Sequence, residues 1–124
     1  MEGMGCVHKR MNEMESFNLE GMQVIPFLSA EETQKFSVYH IVIPQHHRVP
    51  QSYHKVAHEL ILFLEGRGFA RVNGRRFPVA KGEAIWILPG IPHGFETQDG
   101  PLTLLAILSP RVDTKTDFYY VEQA

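Results

Sequence analysis

The sequence predicts an all-β sandwich or barrel. Three observations carry this. Short runs rich in β-branched and aromatic residues recur along the chain, Phe36 to Ile43 and Ala84 to Leu88 among them. Turn residues separate the runs: Pro44, Asn73-Gly74, Lys81-Gly82, Pro89-Gly90 and Gln98-Asp99-Gly100-Pro101. No segment keeps the apolar period of a convincing helix.

Taken in order, residues 1–21 have no clear period. Met11, Met14 and Phe17 make at most one weak helical turn, so this stretch reads as a flexible arm or one that docks on a partner subunit. Residues 22–124 read as a single barrel domain. Gln23 to Leu28 is apolar and contains Pro26, which predicts an edge strand. Ser29 to Glu32 carries a helix-start signal too short for more than a turn. Phe36 to Ile43 is a strand, and residues 45–53 a loop between Pro44 and Pro50. Ala57 to Leu64 is the next strand; its run is continuously apolar after Glu59, which predicts burial on both faces. Phe69 to Val72 and Arg76 to Val79 flank the Asn73-Gly74 hairpin turn. Ala84 to Leu88, Pro92 to Glu96, Leu102 to Leu108 and Phe118 to Val121 complete the strands.

The chain has 124 residues, a length typical of one domain, and no repeat of fixed period. Its formal net charge is −2 with both signs interspersed, so no basic footprint points to nucleic acid. No apolar run approaches the ~20 residues of a membrane span. The N-terminus lacks the apolar core of a signal peptide, and the expectation is a cytoplasmic protein. Cys6 is the single cysteine, which excludes an intrachain disulfide and reads as a free surface thiol. Seven histidines is a high count, and His46, His47, His54 and His58 fall close together, which points to a metal or acid–base site.

Two blocks bring imidazole and carboxylate groups beside strand-like runs: Ser52 to Gly68 and Gly82 to His93. Side-chain alternation puts Glu59, Ile61 and Phe63 on one strand face and His58, Leu60, Leu62 and Leu64 on the other. The first block resembles the first motif of the cupins. Four residues lie between His54 and Glu59 and six between Glu59 and Gly66, as in that motif. The second block resembles their second motif at Gly82, Gly90 and His93. The departures are Ser52 for the first motif histidine, His46 for the first glycine, Leu88 for a proline and Thr97 for an asparagine. Core motifs span 46–97. The stretch from Ala57 to Phe95 is also similar to the sugar-sensing domains of arabinose-type transcription regulators, but no helical pair follows His93.

The resemblance implies a double-stranded β-helix, the cupin jelly-roll barrel. It implies one divalent transition metal (Fe, Mn, Co, Ni, Cu or Zn) held by His54, Glu59 and His93. Ser52 offers only a hydroxyl at the fourth position, and His47 is a possible substitute from the preceding loop. His58 should point outward. The alternative for the three residues is a polar pocket hydrogen-bonded to an organic ligand. Two functions stay open. One is a metal-dependent enzyme of dioxygenase, isomerase or lyase type on a small molecule, with Glu83 or Tyr53 as candidate acid or base. The other is a non-catalytic, sugar-like sensor barrel without a DNA-binding domain. Trp86, Phe63, Phe69 and Phe95 are candidate pocket aromatics. The apolar face Leu60, Leu62, Leu64 predicts a homodimer.

Overall fold

The longest strand, β5 (His58–Val72), organises the molecule. In the computed structural model, which describes residues 5–122, it runs through two antiparallel sheets. The first sheet is ordered β1 (Phe17–Leu19), β2 (Met22–Pro26), β3 (Ser37–Ile43), β9 (Leu102–Ser109), the first half of β5, and β7 (Ala84–Ile87). The second is β6 (Arg75–Ala80), the second half of β5, β8 (His93–Glu96), β4 (Ser52–Tyr53) and β10 (Tyr119–Tyr120). The sheets curl together as a jelly-roll β-barrel, the expected fold. Residues 1–4 of the expected arm and the last two residues of the barrel domain lie outside the described residues.

Alternation builds the core. Along β9, Leu102, Leu104, Ala106 and Leu108 are buried while the residues between them are half-buried. Ile61 and Phe63 enter from β5, Met22 and Val24 from β2, Ala70 and Val79 from the second sheet. Phe63 meets Phe95 edge-on at 6.0 Å between ring centroids, tying one sheet to the other. Each such large apolar side chain contributes about 1.5–3 kcal/mol when fully buried.

Several expectations need correction. Ala57 to Leu64 and Phe69 to Val72 are one bent strand, not two separated by a turn. The reason is Gly66, at φ +81°, which follows a register shift between Phe63 and Glu65. A Cβ there would run into the carbonyl oxygen of Pro101, so the close approach of β5 to that turn requires glycine. Burial on both faces of β5 also fails. Leu60 is 41% exposed and Leu64 38%, and Trp86, across from Leu60 on β7, is 66% exposed. Within one chain, β7 and β9 flank the edges of β5, and these outward side chains keep contact with solvent. The loop at residues 45–53 contains β4, and Phe17–Leu19, in the segment read as an arm, pairs with β2. Earlier in that segment Lys9 donates to the Phe27 carbonyl at 2.7 Å and pairs with Glu32, so that side chain contacts its own barrel. Cys6 is exposed, as expected. Among the described residues no helix is long and apolar enough to cross a membrane.

Asn73 and Gly74 take φ +51° and +82°, the paired left-handed values a tight hairpin needs. His46, at the first motif-glycine position, takes φ +54°. A left-handed backbone, which glycine adopts freely, is here carried by a residue with an imidazole side chain, at a cost of about 1–2 kcal/mol. His46→Gly should relieve that cost, less the extra unfolded-state freedom of glycine, roughly 0.5–1 kcal/mol. A net gain of up to about 1 kcal/mol in urea unfolding is the expected outcome; a loss would show that the His46 side chain has a structural partner of its own.

Candidate metal centre

Three elements deliver the three predicted residues to one point. His54 follows β4, Glu59 is the second residue of β5, and His93 opens β8. Strand alternation turns Glu59 inward, as it does Ile61 and Phe63. His93 lies across from Ser52 on one side and Val72 on the other. All three side chains are buried. Glu59 Oε1 sits 2.9 Å from His93 Nε2 and 3.1 Å from His54 Nε2, and one ligand atom from each residue lies within 4.8 Å of the others. Two donors each about 2.1 Å from one ion, at right angles, would be about 3.0 Å apart, so the spacing fits a shared cation.

The outer ring nitrogens decide the chemistry. His54 Nδ1 is 2.8 Å from the carbonyl oxygen of Asp117, and His93 Nδ1 is 3.0 Å from that of Ile91. A carbonyl oxygen only accepts, so each Nδ1 carries the proton. In the neutral ring each Nε2 is then a lone pair aimed at a carboxylate oxygen. Three lone pairs facing one another repel unless a cation or added protons lie among them. This is the arrangement in which backbone carbonyls orient histidines for a metal. The described group is able to hold one.

Without a metal, protons fill that role. Burial pushes the Glu59 carboxyl up, but hydrogen bonds and charge from His54 and His93 outweigh it and bring it to about 2. Burial pushes His93 down, and the bond and charge of Glu59 outweigh that and raise it.

Asp117 is the residue that sequence reasoning missed. Its carboxylate accepts the backbone N–H groups of Lys55, at 2.6 Å, and of Val56 and Ala57, at 3.1 and 2.9 Å. Its carbonyl takes the His54 proton. One residue, itself at φ +57°, thus holds both the loop between His54 and Glu59 and the His54 ring. From the other side, Gly90 donates its N–H to the His54 carbonyl at 2.6 Å, and its φ of +83° is what the motif glycine supplies. No local signal marks Asp117, because its partners lie some sixty positions away.

A cavity of about 250 Å³ opens in front of the three residues. Ser52 and Phe95 line it. His47 does not: its ring packs on Gly21 and its Nε2 bonds the Glu20 carbonyl at 2.6 Å, away from the cluster. His58 points outward and accepts the Trp86 indole N–H at 3.2 Å. Of the other candidate aromatics, Phe63 is core and Phe69 lies under Arg76, 3.7 Å from the guanidinium. Glu83 caps an exposed turn at Ala80 N, and Tyr53 stacks on Tyr119 at 5.4 Å; neither lines the cavity. Thr97, in place of the motif asparagine, is buried and ties the His47 and Pro44 backbones, a structural role.

Asp117→Ala leaves the N–H groups of Lys55, Val56 and Ala57 without their carboxylate acceptor, while the backbone carbonyl that orients His54 is kept. A loss of about 2 kcal/mol is expected in urea unfolding. Burial raises the Asp117 carboxyl, but its backbone bonds outweigh that and leave it below its ordinary 3.8. A depressed folded value gives stability that is present above the unfolded value and lost as pH falls. The metal-free protein should therefore lose stability as pH drops from about 4.5 towards 2, and Asp117→Ala should show a shallower loss.

Comparison with known proteins agrees with this fold. The family model described as Cupin domain matches residues 39–108. An uncharacterized protein of Methanocaldococcus jannaschii is 31% identical over 77 residues, 61% of this chain and 62% of that protein. The chain thus spans about three-fifths of that relative. Solved structures share the fold. A Streptomyces nucleoside dehydratase superposes with a TM-score of 0.79 at 14% identity, over 94% of this chain and 92% of that one. The polyketide cyclase RemF of Streptomyces resistomycificus gives 0.80 at 20% identity, over 96% and 87%. Ectoine synthase of P. lautus gives 0.76 at 14%, over 96% and 92%. With both motifs in register on this barrel and the family model matching more than half of its length, the chain belongs to the cupin family.

Proposed function

We propose that the protein is a metal-dependent enzyme that acts on a small organic molecule in the barrel cavity. His54, Glu59 and His93 hold one divalent transition metal. The observation that carries this is the convergence of three lone pairs, with both imidazole protons committed to backbone carbonyls on the far side. Two neutral nitrogens and a carboxylate oxygen suit Fe, Mn, Co, Ni, Cu or Zn. The metal would supply Lewis acidity towards a substrate oxygen. Ser52, paired with His93, stands where a fourth ligand fits. Neighbours in the same fold include a dehydratase, a cyclase and a synthase, which supports an enzyme by analogy of fold alone.

The assembly we propose is a homodimer joined through the outer face of the first sheet. Trp86, Leu60 and Leu64 are exposed there, more apolar surface than a lone barrel is expected to leave in water. Light scattering should give twice the chain mass. Trp86→Glu with Leu60→Glu should return it to the chain mass; a wild type that already elutes as a monomer refutes the assembly.

Calorimetric titration with Zn, Mn and Ni tests the metal. Wild type should bind one equivalent. His93→Ala should weaken binding at least about 100-fold through loss of a ligand, and Ser52→His should tighten it by supplying an imidazole. The pH dependence has a definite sign. In the metal-free protein the raised His93 value means a contribution complete below 6.5 and lost as pH rises through the folded value. Metal needs the neutral ring, so its affinity rises over that same range. The metal-induced gain in melting temperature should therefore be small at pH 5 and grow towards pH 8. Equal uptake by all three proteins, or none by any, puts a metal-free ligand-binding barrel first.

A further inference from the structure

The cavity in front of the three residues is lined mostly by apolar side chains. Met22 and Val24 from β2, Ile41 from β3, Leu104 from β9, Val49 and Phe118 form much of its lining. Of the polar side chains that also reach it, Ser52 and Thr114 bring free hydroxyls, and the larger ones are committed to the protein. Tyr39 donates its hydroxyl to the Val112 carbonyl, Tyr120 to Glu20 at 3.0 Å, and Arg111 binds Asp113 and the Leu28 carbonyl at 3.3 and 3.1 Å. A sugar entering here would leave several hydroxyls without partners, which costs roughly 1–3 kcal/mol each. The sugar-like ligand is therefore the wrong class for this cavity. Size narrows the class further. An apolar cavity of about 150 Å³ takes up benzene; about 250 Å³ has room for two fused rings.

We infer that the ligand is a flat, largely apolar molecule of about two fused rings, carrying a phenolic or keto oxygen that faces His54, Glu59 and His93. The apolar body meets the β2, β3 and β9 walls. The single oxygen faces the point where the lone pairs of His54, Glu59 and His93 converge, and meets the cation held there. In placing that oxygen the inference rests on the metal reading above; the apolar body does not depend on it.

The test is calorimetry on the full chain loaded with Zn, using 2-naphthol, naphthalene and glucose as probes. 2-Naphthol should bind one to one with a Kd on the order of 10 µM, naphthalene roughly tenfold more weakly, and glucose not at all up to about 10 mM. Ala106→Phe and, separately, Val49→Phe fill the cavity from opposite walls, and should abolish naphthol binding while metal uptake stays at one equivalent. Glucose binding, or naphthol binding that neither variant disturbs, overturns the inference. So does metal uptake without any naphthol binding, which leaves the metal reading standing. Naphthol binding that EDTA does not change, in a protein that takes up no metal, keeps the ligand class and sinks the metal reading instead.

Discussion

A buried carboxylate facing two imidazole lone pairs is the constraint around which this barrel is arranged. Alone, Glu59 would carry a large desolvation cost, and the usual escape is protonation. Here the carboxyl stays ionised instead, because the hydrogen bonds and charge of His54 and His93 outweigh burial. His54 and His93 present Nε2 to the same oxygen, and their Nδ1 protons are already bound by backbone carbonyls of Asp117 and Ile91. The cluster must take up positive charge from elsewhere. Water held in bulk is a weak competitor for it in this buried position, so each interaction acts at low local dielectric.

Holding that cluster falls to the backbone. Glu59 is rigid because it lies within a ladder, paired with Ile87 on one side and Leu108 on the other. His93 is rigid for the same reason. His54 lies on a loop, and loops do not position groups by themselves. Asp117 and Gly90 supply what the loop lacks, one from near the C-terminus and one from the turn before β8. Two places where the chain departs from the family motif can be told apart on this basis. His46 takes a left-handed backbone angle that glycine would tolerate freely, whereas Ser52 lies across from His93 where the motif histidine is expected but lacks its chemistry.

The bend in β5 couples this centre to the cavity. Because one strand serves both sheets, Glu59 near its start and Val72 at its end, beside His93, belong to the same backbone. The centre therefore sits where the sheets converge, and the apolar inner faces of β2, β3 and β9 become the walls in front of it. Outside, the same alternation leaves Leu60, Leu64 and Trp86 facing away from the core. A mostly apolar interior and an apolar exterior face both follow from strands that are hydrophobic on two sides.

Legibility in the sequence tracks the range of the interactions involved. Most strands, the Asn73-Gly74 turn and the all-β class depend on neighbouring residues, and the chain alone determined them; the short strands Phe17–Leu19 and Ser52–Tyr53, which exist only through their pairing with distant partners or a hairpin neighbour, were not legible. The spacing of His54, Glu59, Gly66, Gly90 and His93 was also legible, because it resembles the two cupin motifs. The two readings around β5 that failed share a cause. Whether Glu65 to Gly68 turns or bends depends on the carbonyl of Pro101, and whether Leu60 is covered depends on what packs outside β7 and β9. His47 looked eligible as a ligand until Gly21 gave its ring a place to pack. Asp117 was invisible, since a carboxylate that caps three N–H groups some sixty residues away has no local pattern. Sequence by itself determined which residue types were available and which strand face each would take. Only the tertiary structure decided which nitrogen of each histidine points inward, because that choice belongs to two backbone carbonyls brought up by the fold.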